Sequence, residues 1–188
     1  MEQKDYEANL ETAVSYLKMD LKTDAEATFK MAMSQVPQED KTSNNIAYIR
    51  ILCYCAWLSL EAGDIIRASN LINEGLKLRK MHADLLFLNS LIFRSAHKYG
   101  DMLTSLISYL IAADLPDKDL FSYEFVNPGV LKSVIEDYIP LAFRNTPNHA
   151  PILEVIKNTI VKIKELASGE YIERAYNILI AIEKENMN

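Results

Sequence analysis

The sequence predicts an all-α chain built as a series of antiparallel helix pairs, with about eight or nine helices in all. Three observations predict it. Apolar residues recur at helical spacing along nearly the whole chain. Gly and Pro are scarce, five and six in 188 residues, so few turns are specified. A Gly-Asp step occurs at Gly63-Asp64 and returns 37 residues on at Gly100-Asp101. A period of that size marks stacked helical hairpins.

Tyr6, Leu10, Ala13, Tyr16 and Leu17 mark the first helix. Thr23 and Asp24 offer N-cap chemistry to a second, which carries Ala25, Phe29, Ala32 and Met33 and ends at Pro37. A polar loop fills 38–44. A third helix is expected over about 45–62, with Ile49, Leu52, Ala56 and Leu60 along it. Gly63 then serves as C-cap and Asp64 as the next N-cap. The fourth helix reaches about Arg79, the fifth covers about 82–99, and the sixth runs from the Gly100-Asp101 break to Ala113. In 115–129 the pattern changes. Phe121, Tyr123 and Phe125 alternate with polar residues, the period of an extended segment.

Helical spacing resumes at Val130. Pro140 should kink that helix or start a new one, and Pro151 suits a first helical turn. The last two helices fall at about 152–167 and 171–185, with Ser168-Gly169 between them. The apolar set Tyr176, Leu179, Ile180 and Ile182 either seals the end of the array or mediates a homodimer.

This length suits one domain. The expected division is repeats at about 5–37, 45–80 and 82–114, an aromatic loop at 115–129 and C-terminal helices at 130–186. Hydrophobic residues make up 49% and charged residues 24%, the balance of a globular protein. The net charge of -6 argues against a nucleic-acid binder, which must neutralise phosphates. Lys77, Arg79 and Lys80 cluster, as do Lys157, Lys162 and Lys164, in the manner of solvated helix faces. The first residues are charged, with no apolar region behind them, and no apolar run reaches membrane-spanning length. The expected location is the cytoplasm, with no membrane partner.

No catalytic set emerges. Cys53 and Cys55 lie two apart, so on a helix they point about 200° apart and cannot share a metal or pair. His82, His97 and His149 fall in different elements with no metal-ligand spacing. Phosphate loops and nucleophile elbows are absent. Glu39-Asp40 and Glu136-Asp137 are neighbours, not a pair facing across a cleft. The expectation is a non-enzyme without metal or cofactor.

A family pattern lies over these helices. Tyr16, Ala25, Phe29, Ala32 and Pro37 follow one another at set intervals; so do Ala56, Gly63, Ala68, Ile72 and Gly75, then Phe93, Gly100, Ser105, Tyr109 and Ala112. A fourth set is Gly169, Tyr171, Ala175 and Ile178. The arrangement resembles the tetratricopeptide repeat, in which small residues let two helices approach and aromatics fill the holes between them. The first turn departs from the pattern: Asp20 to Thr23 stand where the family has Gly.

The resemblance implies an α-solenoid, a right-handed superhelix that binds a protein or peptide partner in its concave groove, as an adaptor or chaperone. The first helix of each pair lines that groove. The residues expected there are Arg50, Cys53, Tyr54, Trp57 and Glu61, then Phe87, Ser90, Arg94 and His97. Trp and Arg are common hot-spot side chains. Trp57 has a second reading, packing between repeats. Some family members clamp a C-terminal carboxylate. Leu10 and Val14 stand at the matching positions and cannot, so a more apolar or mixed peptide is expected. Phe121, Tyr123 and Phe125 either cap the last repeat, fold into the groove or offer themselves to a partner.

The run from Leu86 to Phe143, with Asp114-Leu115-Pro116 and Asn127-Pro128-Gly129-Val130, also resembles the repeat tail of some bacterial glycosyltransferases. An accessory subunit or detached repeat domain of such a system is therefore an alternative. The size and acidity are similar to those of the small tetratricopeptide chaperones of bacterial type III secretion. A structural homo-oligomer is a further alternative.

Overall fold

The computed structural model describes residues 4–115 and 118–186, the side chains of 118, 119 and 186 aside; Pro116, in the expected loop, lies outside them. The chain is all-helical, with neighbouring helices packed in pairs. Its contacts group into two compact units, Met1–Lys80 and Met81–Asn188.

The first unit holds α1 (Asp5–Lys18), α2 (Lys22–Gln35), a 3-10 turn (Gln38–Asp40), α3 (Ile46–Glu61) and α4 (Ile65–Leu78). Helices α1 and α2 pack as one pair, α3 and α4 as the next. Ala13, Ala25, Ala32, Ala56 and Ala68 are fully buried, so helices approach where the side chains are smallest. Tyr6, Leu10, Phe29, Tyr48 and Leu52 fill the space between. The Tyr48 hydroxyl donates to Glu74 and ties α3 to α4. One cap was legible: Asp64 Oδ1 accepts from Arg67 N–H at 3.0 Å; Asn45, expected only near the start of the third helix, caps α3 by accepting from Tyr48 N–H at 3.1 Å. One was not. Helix α2 starts at Lys22 behind Leu21, which makes no side-chain cap, and the expected caps Thr23 and Asp24 lie inside its first turn.

The second unit holds α5 (Ala83–Ser95), α6 (Tyr99–Asp114), a one-turn helix α7 (Lys118–Phe121), α8 (Pro128–Ser133), a π turn (Val134–Tyr138), α9 (Ile139–Arg144), α10 (His149–Ile163) and α11 (Glu170–Asn186). The expected break at Gly100 is displaced. Helix α5 stops at Ser95, and Gly100 sits in the first turn of α6. The left-handed turn residue is His97, φ 55°, which stands 34 residues after Gly63, φ 77°. Helix α8 begins earlier than Val130, because Asn127 caps it and Pro128 presets its first turn. The helix then runs through Pro140. Just before the proline, Ile139 N–H bonds to Val134 O in a π turn, which absorbs the strain of a ring that cannot donate. Counting 128–144 as one helix and setting aside the four-residue α7, the described residues form nine helices.

Helix α11 packs on α6, α9 and α10 with Ile172, Ala175, Leu179 and Ile182 buried. The Asp114 carboxylate at the end of α6 accepts from Ser168 Oγ at 2.8 Å and from Gly169 N–H, fixing the turn into α11. No helix among the described residues is long and apolar enough to cross a membrane.

Candidate functional site

The residues expected on a binding stripe divide between the two units. In the first, α1 and α3 bound an open groove of about 440 Å³, lined by Glu7, Leu10, Glu11, Asn44, Ala47 and Arg50. Arg50 reaches across it, Nη1 to Glu11 Oε1 at 2.7 Å. Its side chain is 19% exposed against 58% for Glu11, so the stem is packed and the charge faces the groove. Arg50 Nε is buried without a hydrogen-bond partner among the described residues.

Tyr54 and Trp57 turn toward the core. Tyr54 is buried, stacked on Phe29 with ring centroids 4.7 Å apart and 16° between planes. Trp57 is half-buried against the same core, 6.4 Å from Tyr54. Tyr54 stands one turn on from Arg50 on the same side of α3, close enough for the two side chains to interact, but its ring turns inward onto Phe29 of α2. Cys53 is buried too, and burial pushes the Cys55 thiol up to about 11.

In the second unit Phe87 and Ser90 are interior, and Ser90 Oγ donates to Phe87 O at 2.6 Å. Arg94 lies over the ring of Tyr138, 4.9 Å from its centroid. His97 is exposed in its turn, 3.2 Å from the Tyr99 hydroxyl.

Phe87 is interior because the chain covers it. Residues 121–125 fold back along α5 as a strap. Phe125 meets Phe87 at 5.2 Å, while Phe121 and Tyr123 each meet His82 in a T-shaped contact at 4.9 Å. The Asp84 carboxylate accepts the N–H groups of Glu124, at 2.8 Å, and Phe125, at 3.0 Å. Tyr109 of α6 donates its hydroxyl to Phe125 O at 2.6 Å. Burial, with the Asp84 carboxylate and Tyr171 nearby, raises the Tyr109 phenol above its ordinary range, so it stays a donor. After α7 the strap forms no regular element, so the alternating rings mark an irregular segment and not a strand.

Asp84 was missed from the sequence. A carboxylate in a helix's first turn reads as a dipole partner, and nothing local shows a chain returning 40 residues later. The histidines take separate parts. His82 caps α5, accepting from Leu85 N–H at 3.4 Å. His149 stacks on Phe143 and lies 2.6 Å from Glu183 and 2.8 Å from Phe143 O.

The chain matches no protein-family model, no curated protein and no solved structure.

Proposed function

We propose that the protein is a non-catalytic interaction module of the tetratricopeptide type, a cytoplasmic adaptor or chaperone that holds a segment of a partner protein in the α1–α3 groove. The observation that carries this reading is the groove itself. It is open, lies between the first helices of two successive pairs, and mixes Leu10 and Ala47 with Glu7, Glu11 and Arg50. Such a lining suits a peptide with apolar and charged side chains better than a uniformly apolar ligand. Arg50 is the side chain to which the grip falls, since its guanidinium is already aimed across the groove by Glu11.

The test is partner capture by the intact chain beside its Arg50→Ala variant, with helicity and melting compared by circular dichroism. One protein held by the intact chain and released by the folded variant supports the groove. Equal capture by both moves the site elsewhere, and no capture by either overturns the reading.

A second reading, a self-assembling structural protein, is favoured by α10. Val155, Val161 and Leu166, on that helix and just beyond it, are 65%, 62% and 67% exposed. Sedimentation of the intact chain and a Val155→Lys/Val161→Lys variant tests it: an assembly that the variant dissolves supports self-association, and a monomer rejects it.

A further inference from the structure

The strap is held on α5 in two separable ways. One concerns its backbone alone. Asp84 is 4% exposed, and its oxygens accept two successive strap N–H groups, while Tyr109 grips the carbonyl of Phe125. None of these bonds depends on which side chains the strap carries. A covered carboxylate is costly without donors, so whatever chain lies over this face must supply N–H groups to Asp84.

The second hold concerns alternate side chains. Phe121 is 2% exposed against His82, Tyr123 stacks on Phe121 at 5.5 Å, and Phe125 lies on Phe87. Ser122 and Glu124, between them, are exposed. Main-chain bonds that give hold and side-chain pockets that give choice are the two elements of peptide recognition.

The strap also borders open space. Beside it lies a cavity of about 540 Å³ lined by Ser122, Tyr123, Val126, Leu131 and Tyr171. Ser122 is held in the left-handed region, φ 48°, which a non-glycine residue adopts at a cost. The segment therefore has space beside it and carries backbone strain, and it lies outside the long helices.

Building on the interaction-module reading, we propose that the face formed by Asp84, Phe87 and His82 of α5 with Tyr109 of α6 is a second peptide-binding surface. The 121–125 strap occupies it as a stand-in, and its partner is a segment of another protein with aromatic rings at alternate positions. Such a partner displaces the strap, takes the two bonds from Asp84 and sets its rings on Phe87 and His82. The strap is thus a competitor in the same chain, and the measured affinity is reduced by the fraction of time it stays down.

The test uses a fluorescent peptide of residues 119–127 and the full chain in which 121–125 is replaced by Gly-Ser-Gly-Ser-Gly. Polarisation should show the peptide binding this variant about ten-fold or more tighter than the intact chain. Binding should vanish when Asp84→Ala is added, or when the three aromatics of the peptide are serine. A folded strap variant that binds no peptide overturns the proposal. If that variant does not fold, hydrogen exchange on the intact chain decides. Glu124 and Phe125 amides that exchange by local opening, well before those of α5 and α6, support a displaceable strap. Exchange only with global unfolding makes the strap part of the core and rejects it. The Arg50→Ala capture experiment reads a different groove, so loss of that result sinks the module reading without deciding this one, and the reverse.

Discussion

Arg50 and Glu11 join α3 to α1 through one charged contact of 2.7 Å, and that contact is the polar element spanning the floor of the α1–α3 groove. An ion pair with one largely exposed partner contributes about 0–1 kcal/mol. Glu11→Ala should therefore lower stability by no more than about 1 kcal/mol, read from denaturant midpoints. Arg50→Ala should cost somewhat more, because its packed stem is lost along with its charge. Both losses are small enough to leave the helices folded. That makes Arg50→Ala usable as a binding variant, and an unfolded Arg50→Ala chain would contradict the geometry.

Tyr54 calls for the opposite outcome. Its ring is stacked on Phe29, both are buried, and the pair sits between α2 and α3. Truncation to Ala leaves a ring-sized cavity, and the expected loss is about 3–5 kcal/mol. Thermal unfolding by circular dichroism measures it. A Tyr54→Ala chain with an unchanged melting temperature would put the ring back on an open surface.

These two residues show what the sequence could and could not say. The helix pairs were legible, since small residues and apolar spacing point the same way along 5–78. Arg50 and Tyr54 are four apart on α3, so periodicity placed them on one stripe. Yet a stripe of that width spans the edge between groove and core, and only the facing helix decides which side a ring takes. Phe87 was lost for a longer-range reason. Its cover comes from Phe125, and no local pattern announces which part of a chain a loop will fold over. The turn at His97 was hidden by glycine itself: Gly100 is the usual left-handed residue, while the structure uses a histidine three positions earlier.

The thiols carry a chemical prediction. Cys53 and Cys55 are 4% and 5% exposed, and burial holds the Cys55 thiol up at about 11. At pH 8 its thiolate fraction is on the order of a thousandth. Both cysteines should resist a thiol reagent in the native chain and react at once in denaturant. Fast native labelling would mean that α3 opens locally.

A pH dependence follows from Lys4 and Asp40. Their charges meet at 2.6 Å, and Tyr6 donates to the same carboxylate at 3.1 Å. The lysine holds Asp40 below its ordinary range, and Asp40 in turn raises Lys4. The Asp40 contribution is present above the ordinary carboxylate range and is lost as pH falls through its lowered value. The Lys4 contribution is present below the ordinary lysine range and is lost as pH rises through its raised value. Carboxyl NMR titration should show Asp40 ionising low in the intact chain and moving upward in Lys4→Ala. An unmoved titration would detach the pair.

The turns allow a paired experiment on backbone conformation. Gly63 and His97 close the α3–α4 and α5–α6 hairpins, both in the left-handed region at φ 77° and 55°. A Cβ added at Gly63 would meet nothing within 4 Å, so any cost of Gly63→Ala is conformational and not steric crowding by neighbours. That cost should be about 1 kcal/mol, the penalty of a left-handed non-glycine residue. His97→Gly removes the same penalty from the other hairpin. Its exposed contact with Tyr99 at 3.2 Å is lost, and a glycine's greater unfolded-state freedom offsets part of the gain. The expected net is a stabilisation below about 1 kcal/mol. Opposite signs for the two variants in chemical denaturation would establish that the left-handed turn, and not the identity of its side chain, is what each hairpin requires. A destabilised His97→Gly chain would instead make the histidine's own contacts the feature that matters.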